Sequence, residues 1–396
     1  MRSFKSSKFG LVSAACVIGW ILARPLANFL QLSQDIVYGP LFAAVLMAGI
    51  VALIVSIPAL PSPVIWATLY LLYLGLMLLL QLKDDTSSTG VALHGFAALG
   101  LPPLIYLISM QSTSEARDRA LQIYVGPLLG FSAIVSVFYY FFDFTLWGML
   151  QHHVYTDLIY DNEAIDRRAI GLLASPQSHA LSMVVLLVIA VIGRQARPWL
   201  SLTLGLLAII GGLLSGSKAF LLGVLLVAMI RMPRKFVLLG LLPLFIAGWF
   251  AAELLADSGL RAFSLISAIQ NVDEYTATPL WMAAISYSSD FTRLFAGLGL
   301  GVMGALSETL ELSPLDFSST ESYVLQIAVE SGLAGLFLFG VFLVSAMRFP
   351  VAAGKPALPP ALLLAVLANA FFTPALYGFG NAALAGLLLA HTRRIR

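Results

Sequence analysis

Apolar runs separated by short charged, Pro-bearing or Gly-bearing junctions occupy most of the chain. They fall at about 9–30, 38–58, 62–81, 91–110, 120–146 and 178–193, then at about 198–214, 219–231, 235–255, 322–347, 359–374 and 377–391. A helix needs about 20 mostly apolar residues to cross roughly 30 Å of hydrocarbon, so this pattern predicts an all-α polytopic membrane protein of about twelve transmembrane helices. The run at 219–231 is short for a full crossing. Twelve crossings leave no room for a separate soluble domain, so residues 1–396 read as a single integral membrane domain.

The junctions give the orientation. Arg117 and Arg119, Arg194 and Arg197, Arg231 with Arg234 and Lys235, then Arg348 and Lys355 fall at alternate junctions, and Arg393, Arg394 and Arg396 follow the last run. Among these alternate junctions only the Pro-rich one at 58–62 carries no charge. Lys and Arg mark cytoplasmic loops, so both termini are expected in the cytoplasm of a bacterial inner membrane. The basic opening before the first run resembles a signal peptide, but no small-residue cleavage site precedes Arg24, and an uncleaved first helix is expected. Two long polar connections, 147–178 and 257–321, then face the periplasm.

Composition excludes a soluble protein: 60% of the residues are apolar, 11% are charged, and the mean hydropathy is +0.93. A formal charge of +2 says little about acidic partners, and no nucleic acid is expected as one. The single cysteine, Cys16, allows no internal disulfide or thiolate metal cluster. The adjacent His152 and His153 and the separate His94, His179 and His391 do not have metal-ligand spacing, so neither a metal nor another cofactor is expected. No internal repeat or low-complexity tract is present.

Four constellations on the outer side can carry chemistry. Arg167 and Arg168 lead through Gly171 and Pro176 into the sixth run; arginine's planar fork suits phosphate oxygens, although an ordinary helix start with Pro176 in its first turn explains the same residues. Ser215-Gly216-Ser217-Lys218 puts hydroxyls, amides and an ammonium at a helix start, an arrangement that suits an anion, while a snorkelling lysine is the plainer account. The stretch from Trp281 to Gly301 carries Arg293 and the spaced Gly297, Gly299 and Gly301; with no strand or βαβ unit around it, this run signals a flexible or closely packed loop rather than a dinucleotide site. Glu321 stands where the 257–321 connection meets the tenth run, followed by Tyr323. It is either a first-turn acid behind a Thr320 or Ser319 cap, or a carboxylate poised as a general base. Glu330 lies further in, either as a functional carboxylate or as a packed, hydrogen-bonded one.

Over about residues 165–345 these motifs resemble the O-antigen polymerase and O-antigen ligase superfamily, integral-membrane glycosyltransferases of the GT-C class. The family's Arg-x-x-Gly segment ahead of Pro-Asn is matched by Arg168, Gly171 and Pro176, with Gln177 in place of Asn. Its Ser-x-Ser-Arg turn is matched by Ser215 and Ser217, with Lys218 in the arginine's place. Its Trp and glycine loop correspond to Trp281, Gly297, Gly299 and Gly301, and its His-Asn-x-x-Leu helix start to Glu321, Ser322 and Leu325 ahead of Gly332 and Gly335.

The resemblance implies a GT-C-like fold acting at the periplasmic face on undecaprenyl-diphosphate-linked glycan donors and acceptors among membrane lipids, with a chain-length regulator as a further partner. Glu321 replaces the ligases' histidine and so points to a polymerase rather than a typical ligase. In that role Arg168, Lys218 and Arg293 would neutralise the leaving diphosphate, with Ser217, Tyr323 and Arg261 as additional contacts. The family's arginine ahead of the tryptophan is missing near Thr278, and Arg293 or Arg261 would take its place. A lipid-glycan transporter is the alternative from another class. Transporters tend to show repeated halves with broken helices meeting near the midplane, whereas here the polar mass falls in two loops on one side.

The topology has a direct test. A C-terminal alkaline phosphatase fusion is expected to be inactive, and periplasmic phosphatase activity would move every outer-side candidate to the wrong face.

Overall fold

The computed structural model describes residues 2–56, 61–83, 89–142, 168–173, 175–193, 197–231, 282, 286, 290–303, 322–348, 360–371 and 373–391. Among these there is no strand. The helices are α1 (Arg2–Phe29), α2 (Gln34–Ser56), α3 (Ser62–Lys83), α4 (Thr89–Met110), α5 (Ser114–Arg119), α6 (Gly126–Phe142), α7 (Pro176–Gly193), α8 (Pro198–Leu214), α9 (Lys218–Arg231), the short α10 (Phe291–Ala296), α11 (Tyr323–Arg348), α12 (Pro360–Phe371) and α13 (Phe379–His391). A π turn at Ala120–Val125 joins α5 to α6, and a 3-10 turn at Pro374–Tyr377 precedes α13.

Among the described residues seven helices are long and apolar enough to cross a membrane and three more are shorter apolar helices, which makes this a multi-pass helical membrane protein. The run at 235–255 lies outside the described residues. The run expected at 120–146 begins earlier, at Ser114, because Thr113 Oγ1 caps it by accepting the Ala116 N–H at 3.2 Å.

Burial separates the helices into layers. Every residue of α13 is buried, as is nearly all of α4, and the two pack together at the centre. Pro102 and Pro103 interrupt the hydrogen-bond ladder of α4, and Gly386 of α13 lies so close to the Pro102 carbonyl that a Cβ there would collide with it. By contrast α2 and α3 turn Met47, Ile54, Leu72 and Leu79 outward, the apolar face of a helix whose solvent is lipid.

The beginning of α1 and the end of α13 share one end of the bundle. Gly10 packs against Ala116 of α5, and His391 Nε2 lies 2.9 Å from Asp118 Oδ1. Arg117, one of the clustered basic residues of the sequence, is fully buried at this end and donates from Nη1 to the carbonyls of Ser109 at 3.2 Å and Ser112 at 2.7 Å. Its charge complements the carboxyl end of α4, where backbone oxygens have no helical partner.

Arg117→Ala should leave those carbonyls without the guanidinium and cost about 1–3 kcal/mol. Thermal unfolding in detergent should show the loss, and an unchanged midpoint would mean that other donors satisfy the end of α4.

Candidate functional site

Several interruptions of helical backbone lie toward the opposite end of the bundle, where α3, α8 and α12 finish and α4, α7, α9, α11 and α13 begin. At the first of them, α8 ends in a tight turn. Ser215 Oγ donates to the Gly212 carbonyl at 2.6 Å and accepts the Ser217 N–H at 3.3 Å, and Gly216 takes a φ of 63°. Ser217 is buried immediately ahead of α9, whose first residue is Lys218.

Residues 168–173 lie against this turn as a non-helical segment set among the helices. The Ala169 N–H donates to the Leu214 carbonyl at 2.8 Å, and the Leu172 N–H donates to Ser132 Oγ of α6 at 2.9 Å. Ala169, Ile170 and Leu172 are buried and Arg168 is half-buried. Gly171 has no room for a side chain, since a Cβ would run into Ser132 Oγ and the His179 imidazole. The backbone thus brings the Arg168 segment and the Ser215–Lys218 turn together.

His179 is the residue that sequence reasoning passed over. It is fully buried in the first turn of α7 between Gly171 and Gly211, and neither ring nitrogen has a hydrogen-bond partner among the described residues. Its position soon after Pro176 was the only signal, and nothing in the spacing marks a buried ring. His94, which reads as isolated along the chain, joins an aromatic cluster in which Phe379 lies 4.7 Å from His94, 4.8 Å from Trp20 and 5.2 Å from Tyr38.

The second interruption lies in α11. Gly332 takes φ 67°, ψ −176° inside the helix and breaks its ladder. In an unbroken helix the carbonyls of Val329 and Glu330 would accept from the residues four positions on. Here they accept instead from the Leu298 N–H at 2.8 Å and the Gly299 N–H at 3.1 Å, so a loop at 297–303 caps the break. The loop is closely packed rather than loose. Gly297, Gly299 and Gly301 have φ of 81°, 114° and 78°, and a Cβ at Gly95 of α4 would collide with the Gly301 backbone. The broken helix, the 3-10 turn and the π turn are irregular structure outside the two polar connections.

Arg293 is exposed on α10, which packs on α11 beside the break. Asp290 caps α10 by accepting the Arg293 N–H at 3.4 Å on Oδ2. Phe291 is exposed and stacks on Phe295 at 6.1 Å. Tyr323 is buried at the start of α11, its N–H donating to the Thr373 carbonyl at 3.2 Å and its ring set edge-on to Phe339 at 6.0 Å. Ser322 caps α11, its Oγ accepting the Leu325 N–H at 3.4 Å, and Ser319 and Thr320 lie outside the described residues. Glu321 itself lies outside the described residues, as do Arg261, Trp281 and Thr278.

Asn381 joins these pieces, donating from Nδ2 to the carbonyls of Ser178 and Ala375 at 3.0 Å each and so tying α7 to the 3-10 turn ahead of α13. Among the described residues no group of His, Cys, Asp and Glu could hold a metal ion. A groove of about 660 Å³ between α7 and α8, lined by Leu187, Val191, Trp199, Leu202 and Leu206, is almost wholly apolar and lies away from these interruptions. No protein-family model matches this chain, and no curated protein matches it.

Gly95→Ala should force the loop and α4 apart, at an overpacking cost of about 1–3 kcal/mol. Unfolding measurements on the purified variant check this, and wild-type stability would mean that the loop yields freely.

Proposed function

We propose that the chain is a membrane glycosyltransferase that polymerises undecaprenyl-diphosphate-linked oligosaccharide repeats at the periplasmic face, as the O-antigen and exopolysaccharide polymerases do. The observation that carries this reading is the Ala169 N–H to Leu214 carbonyl pairing, which sets the Arg168 segment beside the Ser215–Lys218 turn. Both are the segments from which a diphosphate-binding site would be built, and they come from separate parts of the chain.

In this reading the reaction needs cations and a base. A sugar hydroxyl of one glycan attacks the anomeric carbon of another, the bond to the lipid diphosphate breaks, and the diphosphate leaves with its electron pair. Arg168, Lys218 and Arg293 stabilise that charge, with Arg261, Ser217 and Tyr323 as further contacts, and Glu321 takes the hydroxyl proton. The full burial of Tyr323 favours a packing role for its ring over direct contact with a sugar. An O-antigen ligase, transferring the glycan to lipid A-core, would use the same groups on a different acceptor.

A transporter of the same lipid-linked glycan is the second reading, and the break at Gly332 favours it. Broken helices that present backbone groups at a cavity are a transporter device.

Glycan extracted from a strain lacking the chain separates these readings. A single repeat on lipid core marks a polymerase, bare core with polymer left on its carrier marks a ligase, and unpolymerised carrier-linked repeat held on the cytoplasmic side marks a transporter. When the strain is complemented, Arg168→Ala and Lys218→Ala should each lower the polymerisation rate about a hundredfold, roughly 3 kcal/mol of transition-state stabilisation, and Glu321→Gln should abolish chain growth at matched expression. Normal ladders from all three variants would remove the proposed site.

A further inference from the structure

The glycine loop is held among the helices by polar side chains that come from two of them. Glu330, about two turns into α11, is fully buried. Its Oε2 accepts the Gly301 N–H at 3.0 Å and its Oε1 accepts the Met303 N–H at 3.2 Å. Gln326, one turn earlier, donates from Nε2 to the Met303 carbonyl at 3.0 Å. From α3, Gln81 accepts the Leu300 N–H at 2.7 Å through Oε1 and donates to the Leu300 carbonyl at 3.2 Å through Nε2.

A carboxylate within a membrane helix is costly, and ordinary packing would be served by an apolar residue. Both oxygens of Glu330 receive amide hydrogens, so the side chain acts as an acceptor aimed at one loop. That loop is continuous with α10. The Gly297 N–H closes on the Arg293 carbonyl at 2.8 Å, and the Phe295 carbonyl lies against Gly332 so closely that no Cβ fits there. Movement of the loop away from Glu330 would carry α10 with it.

We infer that Glu330 is a positioning residue that latches the glycine loop into the bundle and thereby fixes where Arg293 stands, an inference that rests on Arg293 as a ligand of the lipid diphosphate. Glu330 touches no reacting atom. Its two oxygens accept one hydrogen bond each, and these set the loop, the helix that precedes it and the guanidinium that helix bears.

The test has one arm that needs no enzyme assay. Cys16, the chain's only cysteine, is replaced by Cys16→Ala, and Leu300→Cys places a thiol at a fully buried loop position. Maleimide reacts with the thiolate, which forms where water reaches it, so the labelling rate in membranes reports how often the loop leaves the bundle. Leu300→Cys alone should stay protected. Adding Glu330→Gln should raise the rate about tenfold or more, the worth of a hydrogen bond to a charged acceptor. Gln81→Ala, which removes the anchor on α3, should raise it as well and serves where Glu330→Gln does not fold.

The second arm measures the KM for the lipid-linked donor. Glu330→Gln should raise it as Arg293→Ala does, and the double variant should be no worse than Arg293→Ala alone, because the two act through one group. A merely structural role would reduce the amount of active protein and leave KM in place. Protection that persists in both Glu330→Gln and Gln81→Ala overturns the latch, and additive effects on KM overturn its action through Arg293. Should the unchanged chain assemble no glycan, the transferase reading fails and takes the step to Arg293 with it, while the labelling still decides the latch.

Discussion

Backbone N–H and C=O groups inside hydrocarbon have no water to turn to, and each one left unsatisfied costs several kcal/mol. The rest of this structure follows from how that constraint is met where the helices stop being helices. Gly332 frees the carbonyls of Val329 and Glu330, and the loop at 297–303 supplies the N–H groups of Leu298 and Gly299. Backbone can reach backbone this closely only where side chains are absent, which accounts for Gly297 facing Gly332 and for Gly95 facing Gly301. Once the loop is inserted its own amides need partners, and these come from Glu330 and Gln81. The break, the glycines and the buried polar side chains are therefore one solution to a single problem.

The segment at 168–173 solves the same problem with fewer parts. Its N–H groups go to a carbonyl at the end of α8 and to the hydroxyl of Ser132, both in the interior. Among the described residues there are thus two inserted stretches of irregular backbone, one that contains Arg168 and another that runs on from the short helix bearing Arg293. Irregular backbone at membrane depth persists where protein surrounds it or where it lines an aqueous cavity.

The helices were legible because the code for crossing a membrane is mostly length and hydropathy. The boundaries of α8 agree with the run at 198–214, and α3, α4 and α7 differ from their runs by two residues or so. The glycine run was legible as a closely packed loop, one of two readings its spacing allowed, and Glu330 as a hydrogen-bonded carboxylate. What could not be read was long-range. Gln81 pairs with Leu300, and Tyr73 donates its hydroxyl to the Ser331 carbonyl at 2.7 Å, across more than two hundred residues in each case. The break at Gly332 was hidden because a lone glycine in an apolar run is also common in an unbroken helix. Arg117 was misleading for a related reason: its position at a charged junction signals orientation, while its side chain is committed to the end of α4.

That commitment separates the two ends of the bundle in physical terms. At the end shared by α1 and α13, a guanidinium serves the carbonyls that terminate a helix, and His391 meets Asp118. The acceptors for this guanidinium and the partner of this imidazole are supplied within the fold. At the other end the inserted segments bring N–H donors, hydroxyls and the starts of α7, α9, α11 and α13, each helix start adding a partial positive charge. Glu330 answers part of that field from inside the bundle by accepting two of the loop's amides. The two ends are thus served differently: a buried guanidinium takes up helix-terminal carbonyls at one, while at the other a carbonyl, a hydroxyl and a buried carboxylate take up the amides of inserted backbone.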